Sequence, residues 1–445
     1  MFVRASEAAI PAAVTAARWF PPERGPVLVI GNPASVFTQH LARLWRSMGI
    51  DTRIVTRRWS APHVLPDGTR IEATADAERR GQTRRYDWLE RIARQIEAPT
   101  VRFQSLRYAR AMGSETTYRP YVSASVADGV AIADAVCRMR PQFVCGQEAF
   151  SYGIATAASR GVPRILMPWG GDVYMYADTT TLASAMVRYA LNHVDLVVAG
   201  SPLARDYLHS RFGVPVERMH CGGLWALDRS RFRRADRPAR AAVCARFAID
   251  PDRLLVMNIR RFFPAWGSDL ALNAFVRFAH DDASSHFVLL GGAGTEPFVE
   301  EARRVIHDRG LSNRFTLFDG DISLDACADL MSIADIAVSV MRERDMRPLA
   351  SILEASASGA ALVLGDQDEY RAMERLGFQA AICPPGDESA VVAALRRLAA
   401  QPVLRAEMAS ANLSYLDQYE NGTQQAIALL ERVRAICDAY ERRRR

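Results

Sequence analysis

Short runs of uninterrupted apolar residues alternate along this chain with longer stretches whose apolar positions recur every three or four residues. The runs "PVLVIG" (26–31), "TRIVT" (52–56), "FVCGQ" (143–147), "RILMP" (164–168) and "DLVVAGS" (195–201) have the length and composition of buried parallel strands. Between them "VFTQHLARLWRSMG" (36–49), "GIATAASRG" (153–161), "TTLASAMVRYALNH" (180–193) and "PLARDYLHSRFG" (202–213) read as amphipathic helices, three of them closed by glycine. The rhythm resumes after residue 250. "LLVMNI" (254–259), "HFVLLGGAG" (286–294), "RFTLFDG" (314–320), "ADIAVSV" (334–340) and "AALVLGD" (360–366) alternate with "DLALNAFVRFA" (269–279), "EPFVEEARRVIHDRG" (296–310) and "LASILEASASG" (349–359). "AVVAALRRLAA" (390–400) and "NGTQQAIALLERVRAICDAYERR" (421–443) close the chain as helices.

Alternating strands and helices predict an α/β fold with parallel, doubly wound sheets. The length of 445 residues calls for more than one core. The basic stretch "LDRSRFRRADRPARAA" (227–242) interrupts the rhythm and reads as an interdomain linker. The expected organisation is a Rossmann-like first domain over 1–225, a second over 226–412, and a C-terminal helix over 413–445 that packs back on the first. Residues 59–120 carry no clear pattern, and "ERRGQTRR" within them reads as exposed. Ligands of such sheets bind outside the carboxyl ends of the strands. Two such domains facing each other across a cleft suit a reaction that joins two substrates.

Composition changes this picture in three ways. The chain has no lysine, and all 56 basic residues are arginine. That excludes a Schiff-base lysine, hence pyridoxal-phosphate chemistry, and a P-loop lysine. Any anion must be held by arginine, backbone amides or helix N-termini. Residues 1–225 hold 27 arginines against 19 acidic residues, a net +8, while the remainder is at −2. A basic half suits a phosphorylated substrate or an anionic bilayer. No zinc knuckle or aromatic-interleaved basic repeat points to nucleic acid. The seven cysteines show no CxxC pairing and the eight histidines no HxH or HExxH, so neither a disulfide framework nor a metal site is expected. No apolar run is long enough to span a membrane, and "AAIPAAVTAA" (8–17) does not read as a signal peptide.

Candidate chemistry gathers at the strand ends. "GNPAS", with Gly31, Asn32 and Ser35, offers either a helix N-terminus to an anion or an ordinary turn capped by Asn32 or Ser35. "PWGGD", with Trp169, Gly170, Gly171 and Asp172, puts two glycines, an indole and a carboxylate where a backbone would approach a ligand. In the second half, "RRFFPAWG" (260–267) sets two arginines beside a proline, a tryptophan and a glycine. "GGAGTE" (291–296) either cradles a phosphate or turns into a helix capped by Thr295. "MRERDMRPLASILEASASG" (341–359) leads into a helix carrying Glu354 among small and apolar neighbours. A carboxylate there needs a partner: ribose hydroxyls, or one of Arg342, Arg344 and Arg347.

In order and spacing these features resemble the retaining nucleotide-sugar glycosyltransferases of family 4, which have the GT-B fold. The second half carries most of the match, through "NIRRFFPAWGSDLALNAF", "HFVLLGGAGTEPFVEEARRV", "RFTLFDGDIS", "ACADLMSIADIAVSVM" and "SILEASASGAALVL". The first half matches through "GNPAS", "PWGGDV" and "VRYALNHVDLVVAGSPLARDYL". The resemblance implies a hexosyltransferase-type enzyme that moves a sugar from a nucleotide diphosphate to a glycan or a polyprenyl-diphosphate-linked acceptor, as in bacterial surface-polysaccharide assembly. No metal is implied. In the family pattern R-x-x-x-x-K-G, Arg261 takes the arginine place, Trp266 the lysine place and Gly267 the glycine. Of the pair E-x7-E, Glu354 matches the second glutamate, expected on the ribose. The first falls at Met346, with Asp345 one residue away. Asp172 matches the aspartate of the first-domain turn, and Trp169 stands where many members have histidine.

The resemblance thus places Asp172 and Asp345 as catalytic groups. It places Arg260, Arg261, Trp266, Gly267, Gly291, Gly292, Asp321, Ile322, Arg347 and Glu354 at the donor. Gly31, Asn32, Ser35, Trp169, Gly170 and Gly171 fall on the acceptor-side loops. The altered positions Trp169, Trp266 and Met346 leave a second reading open, a non-catalytic GT-B homologue that binds nucleotide, glycan or a partner enzyme. The expected location is cytoplasmic, with the basic half and the terminal "ERRRR" (441–445) favouring peripheral contact with the inner face of the membrane.

Overall fold

The structure, a computed structural model, describes residues 16–33, 35–57, 63–65, 67–74, 121–178, 181–222, 227–292, 295–320, 322–341, 350–419 and 422–444. The described chain divides into two compact units. The first takes the residues within Met1–Ala109, Thr117–Ala226 and Gly422–Arg445, and the second those within Leu227–Asn421.

Unit 1 is built on a seven-stranded sheet. Its strands are β1 (Val27–Ile30), β2 (Thr52–Thr56), β3 (Arg70–Ala73), β4 (Val144–Gln147), β5 (Arg164–Met167), β6 (Leu196–Ala199) and β7 (Met219–Cys221), in the order β3-β2-β1-β4-β5-β6-β7. Every pairing is parallel. All residues of β1, β4 and β6 are buried, as a sheet covered on both faces requires. Alternate residues of β1 serve opposite layers. Val27 and Val29 pack with Trp45 of helix α1 (Val36–Ser47), and Leu28 and Ile30 with Ile132 and Val136 of helix α2 (Tyr121–Met139). Helix α3 (Ser151–Ala158) joins the second layer through Ala155.

Unit 2 repeats the plan with six strands. They are β8 (Leu254–Arg261), β9 (Ser285–Leu290), β10 (Phe315–Leu317), β11 (Ile336–Ser339), β12 (Ala361–Gly365) and β13 (Ala381–Cys383), in the order β10-β9-β8-β11-β12-β13. All pairings are again parallel. Counted within its own sheet, unit 2 runs 3-2-1-4-5-6, the dinucleotide-binding arrangement, and unit 1 runs in the same order with a seventh strand beyond the sixth.

Two expectations from the sequence change. The presumed linker 227–242 is part of unit 2. Asp236 accepts from the Ala239 N–H to cap a helix over Arg237–Arg246, with a proline in its first turn. Arg234 and Arg240 both bind Asp335, whose carboxylate also accepts from the Leu255 N–H at 2.9 Å. An arginine-rich segment that looked solvated is therefore clamped to the amino edge of the sheet by a partner about a hundred residues away. The C-terminal boundary also moves. A helix runs unbroken over Pro402–Tyr419 in unit 2, and the chain re-enters unit 1 at the next helix, Gly422–Arg444. That helix buries Ala426, Leu429, Leu430 and Val433 against the α1 face of the first sheet. Its far end is fixed by Tyr440, whose hydroxyl lies 3.0 Å from both oxygens of Asp195.

Candidate functional site

In unit 1 the strand order reverses between β1 and β4, and a crevice opens at their carboxyl ends. The loops that line it are drawn together by specific contacts. A Cβ on Gly31 would stand 2.7 Å from Thr38 Oγ1 and 3.2 Å from Gln147 Cβ, so glycine lets the first turn of α1 and the end of β4 close on the β1 loop. Asn32 is exposed on this loop. Ser35 occupies the N-cap position of α1 but its side chain makes no capping bond.

The β5 loop is organised by Asp172. Its Oδ2 accepts from the N–H groups of Ala149 at 2.6 Å and Trp169 at 3.2 Å, and its Oδ1 from Gly170 at 2.6 Å and Val173 at 3.1 Å. The residue is 4% exposed. Each such charge-assisted bond contributes about 1.5–3 kcal/mol, and together they tie the β4 and β5 loops into one piece. Both of its oxygens accept from backbone amides, so Asp172 positions the β4 and β5 loops. Trp169 is held from its other side, its Nε1–H donating to Gln147 Oε1 at 3.1 Å. Gly170 takes φ +103°, the left-handed region that favours glycine, whereas a Cβ on Gly171 would meet nothing within 4 Å.

Two residues in this crevice escaped the sequence reading. Gln147 anchors Trp169. Glu148 follows it with φ +82° and 9% exposure, its N–H donating to the Met167 carbonyl at 3.0 Å. A left-handed glutamate at a strand end is a conformation held by its surroundings. The only signal for it in the sequence was its place after a buried strand.

In unit 2 the reversal falls between β8 and β11. The β8 strand carries a bulge against β9 between Asn258 and Arg261, which re-aims the two arginines. Asn258 Nδ2 donates to the Arg260 carbonyl at 3.1 Å, and Ser268 Oγ to the Arg261 carbonyl at 3.0 Å. Arg260 lies over Trp266, with its guanidinium carbon 4.8 Å from the ring centroid. Trp266 in turn sits 5.5 Å from Phe263, which meets Phe298 edge-on at 5.3 Å. The indole at the lysine place thus holds a neighbouring cation within the loop, a contact of about 0.5–1 kcal/mol. Arg261 is exposed and crosses Gly292, where a Cβ would stand 2.4 Å from its Nε.

The glycines here act by permitting contact. A Cβ on Gly291 would stand 2.0 Å from the Phe318 carbonyl oxygen, and one on Gly267 only 1.6 Å from that of Val340. Gly267 also takes φ +72° between the turn at Pro264–Trp266 and the helix Ser268–Asp281. The Gly292 N–H donates to Thr295 Oγ1 at 3.0 Å, and the Thr295 hydroxyl to the Gly292 carbonyl at 2.7 Å.

Glu354 lies on the helix Ala350–Ala357 that follows β11 and is half-buried. Burial pushes its carboxyl up to about 7. The Cys327 thiol beside it is pushed up to about 12 by its own burial and then by Glu354. Among the described residues Glu354 has no ion-pair partner. Ile322 is half-buried just before Ser323, which caps the helix Leu324–Ile333. Asp321, Asp345 and Arg347 lie outside the described residues, as do Arg342, Arg344 and Met346. Among the described residues no three His, Cys, Asp or Glu side chains gather as metal ligands, and no helix is long and apolar enough to cross a membrane.

Two Rossmann-like units, each with its own switch point, are the GT-B fold. Residues 243–414, within unit 2, match the family model of glycosyl transferases group 1. Among solved structures the chain is similar to sucrose-phosphate synthase from Thermosynechococcus elongatus, at 15% identity over 94% of this chain and 100% of that one, with a TM-score of 0.69. It is similar to HepE from Anabaena in complex with UDP and glucose, at 13% identity over 92% and 100%, with a TM-score of 0.67. It is also similar to WaaG, a glycosyltransferase involved in lipopolysaccharide biosynthesis, at 12% identity over 92% and 99%, with a TM-score of 0.63. No curated protein matches the chain.

The glycine geometry yields a paired test. Gly267→Ala must part the β8 and β11 loops and force a left-handed alanine, so it should lower unfolding stability by at least about 2 kcal/mol. Gly171→Ala should leave stability within about 0.5 kcal/mol. Equal denaturation midpoints for the two variants would refute the close-packing account.

Proposed function

We propose that the protein transfers a sugar from a nucleotide diphosphate to an acceptor, with the donor on unit 2 and the acceptor on the strand-end loops of unit 1. The observation that carries this reading is the position of Arg261 and Glu354. Arg261 ends β8 and Glu354 lies on the helix after β11, the neighbouring strands that flank the switch point of unit 2. Arg261 is the exposed cation for the diphosphate, backed by Arg260 on its tryptophan. Glu354 accepts the ribose hydroxyls. Charge developing on the leaving diphosphate is met by guanidinium groups, which remain protonated through the reaction. The group 1 family match supports glycosyl transfer, and the bound UDP and glucose of HepE support a uridine-linked hexose as the first donor to try. The role of WaaG in lipopolysaccharide biosynthesis supports an acceptor in surface-polysaccharide assembly, glycan or lipid-linked. By family resemblance the transfer retains configuration and needs no metal. Unit 1's crevice, with Trp169 and Glu148, suits a hydroxylated acceptor. The basic charge of residues 1–225 suits one carried at an anionic membrane surface.

A panel of nucleotide sugars, assayed for nucleotide release with and without lipid-linked acceptors and with and without a chelator, tests this reading. Release that depends on acceptor and survives the chelator is expected. Binding without release across the panel would support a non-catalytic homologue, in which Trp266 has taken the place of a working cation.

The Glu354 carboxyl gives a pH signature. Its folded value of about 7 lies above the ordinary 4.5, so its protonated form fits the fold. Its contribution to stability is complete below about pH 4.5 and is lost as pH rises through about 7. Ribose hydroxyls donate to the ionised form, so affinity for a nucleotide sugar should rise as pH climbs through that value. Glu354→Gln should bind about ten-fold more weakly at pH 8, a loss of ~1.4 kcal/mol, and show no such rise. Titration calorimetry from pH 6 to 8 reads both; equal pH slopes in the two proteins would remove Glu354 from the ribose.

A further inference from the structure

At the opposite edge of the unit 1 sheet, before β1, β4 and β5, lies a pocket of about 720 Å³ that the proposed transfer does not use. Its walls come from residues 19–24, 137–142, 160–163 and the last turns of the C-terminal helix. Five arginines face it, Arg24, Arg140, Arg160, Arg434 and Arg444, against two acids, Asp438 and Glu441. Both acids are engaged. Glu441 pairs with Arg24 at 2.8 Å, and Asp438 lies 3.8 Å from Arg434, which also stacks over Trp19. Arg444 donates to the Gly161 carbonyl. Among the described residues Arg140 and Arg160 have neither hydrogen-bond nor ion-pair partner, and both are exposed at the rim. The pocket therefore holds a surplus of positive charge concentrated on two unengaged guanidiniums.

The backbone at Arg140 sharpens the point. It takes φ +48° directly after α2, the position at which helices usually end on glycine. The surrounding loop is rigidly built. The Gln142 side chain donates to the carbonyls of Pro21 at 2.9 Å and Gly25 at 2.6 Å, and a Cβ on Gly25 would stand 2.7 Å from the Arg140 carbonyl oxygen. Glycine at 140 would adopt this conformation without strain. An arginine stands there at a conformational cost, and among the described residues no hydrogen bond or ion pair of its guanidinium repays it.

We propose that this pocket binds a phosphate-bearing ligand through Arg140 and Arg160, at a site separate from the strand-end loops. Phosphate matches paired guanidiniums by charge and by bidentate geometry, and it arrives either on a small soluble molecule or on a lipid headgroup. Titration calorimetry of the full chain with pyrophosphate, and co-sedimentation with phosphatidylglycerol or phosphatidylcholine vesicles, separate the two sources. The variants are Arg140→Gly, Arg160→Ser and the double substitution. Arg140→Gly should unfold at the same temperature as the parent or a few degrees higher, while the double variant loses at least ten-fold in affinity. Loss of a pyrophosphate site identifies a soluble ligand. Loss of phosphatidylglycerol binding without a pyrophosphate site identifies a headgroup. An unchanged affinity for both probes, or no binding of either by the parent, overturns the proposal. So does a lower unfolding temperature for Arg140→Gly, which would give Arg140 a structural role.

Discussion

Everything in this protein that bears on chemistry follows from one constraint, the reversal of strand order beside the first strand of each parallel sheet. Parallel strands need crossovers on both faces, and crossovers that depart in opposite directions leave an open crevice at the carboxyl edge. The loops at that edge cannot be paired by the sheet, so they must be held by other means. Glycine provides the first. At Gly267, Gly291 and Gly292 a single added carbon would strike Val340, Phe318 or Arg261. Backbone approach at this distance turns separate loops into one surface.

Charge provides the second means. Asp172 gathers four amides from two loops of unit 1, and Asp335 gathers two arginines and an amide at the amino edge of unit 2. In both cases a carboxylate is consumed in fixing backbone. The fold also positions Arg261, exposed over its glycine, and Glu354, half-buried with its carboxyl pushed up to about 7. At the place where the resemblance has lysine, the Trp266 indole holds Arg260, and the loop carries two cations, Arg260 and Arg261.

The central strands, the glycine turns and the double repeat of the architecture were legible in the sequence because a strand buried on both faces admits almost only apolar residues; the short strands β3, β7 and β13 at the sheet edges were not. Nor was the strand order, since β1 meets β4 across more than a hundred residues that carry no local sign of it. The same distance hid the partners of Arg234 and Arg240, so a clamped segment read as a linker. Asp172 was found but not its four amide partners, because a sequence shows a carboxylate and not the amides that surround it. Glu148 was passed over because left-handed backbone at a non-glycine residue leaves no mark in the letters. Trp266 was placed at the donor in the lysine position; its contact with Arg260 appears only in the structure, where the guanidinium carbon lies 4.8 Å from the ring centroid.

The central claim is that a nucleotide diphospho-sugar is held by the loops flanking β8 and β11. Amide hydrogen exchange of the full chain, with and without a saturating uridine diphospho-sugar, measures this most directly. The account predicts slowed exchange in peptides covering 258–270, 288–296 and 350–358, with little change over 137–163. Protection confined to the β1 and β5 loops of unit 1, with none in those unit 2 peptides, would contradict it.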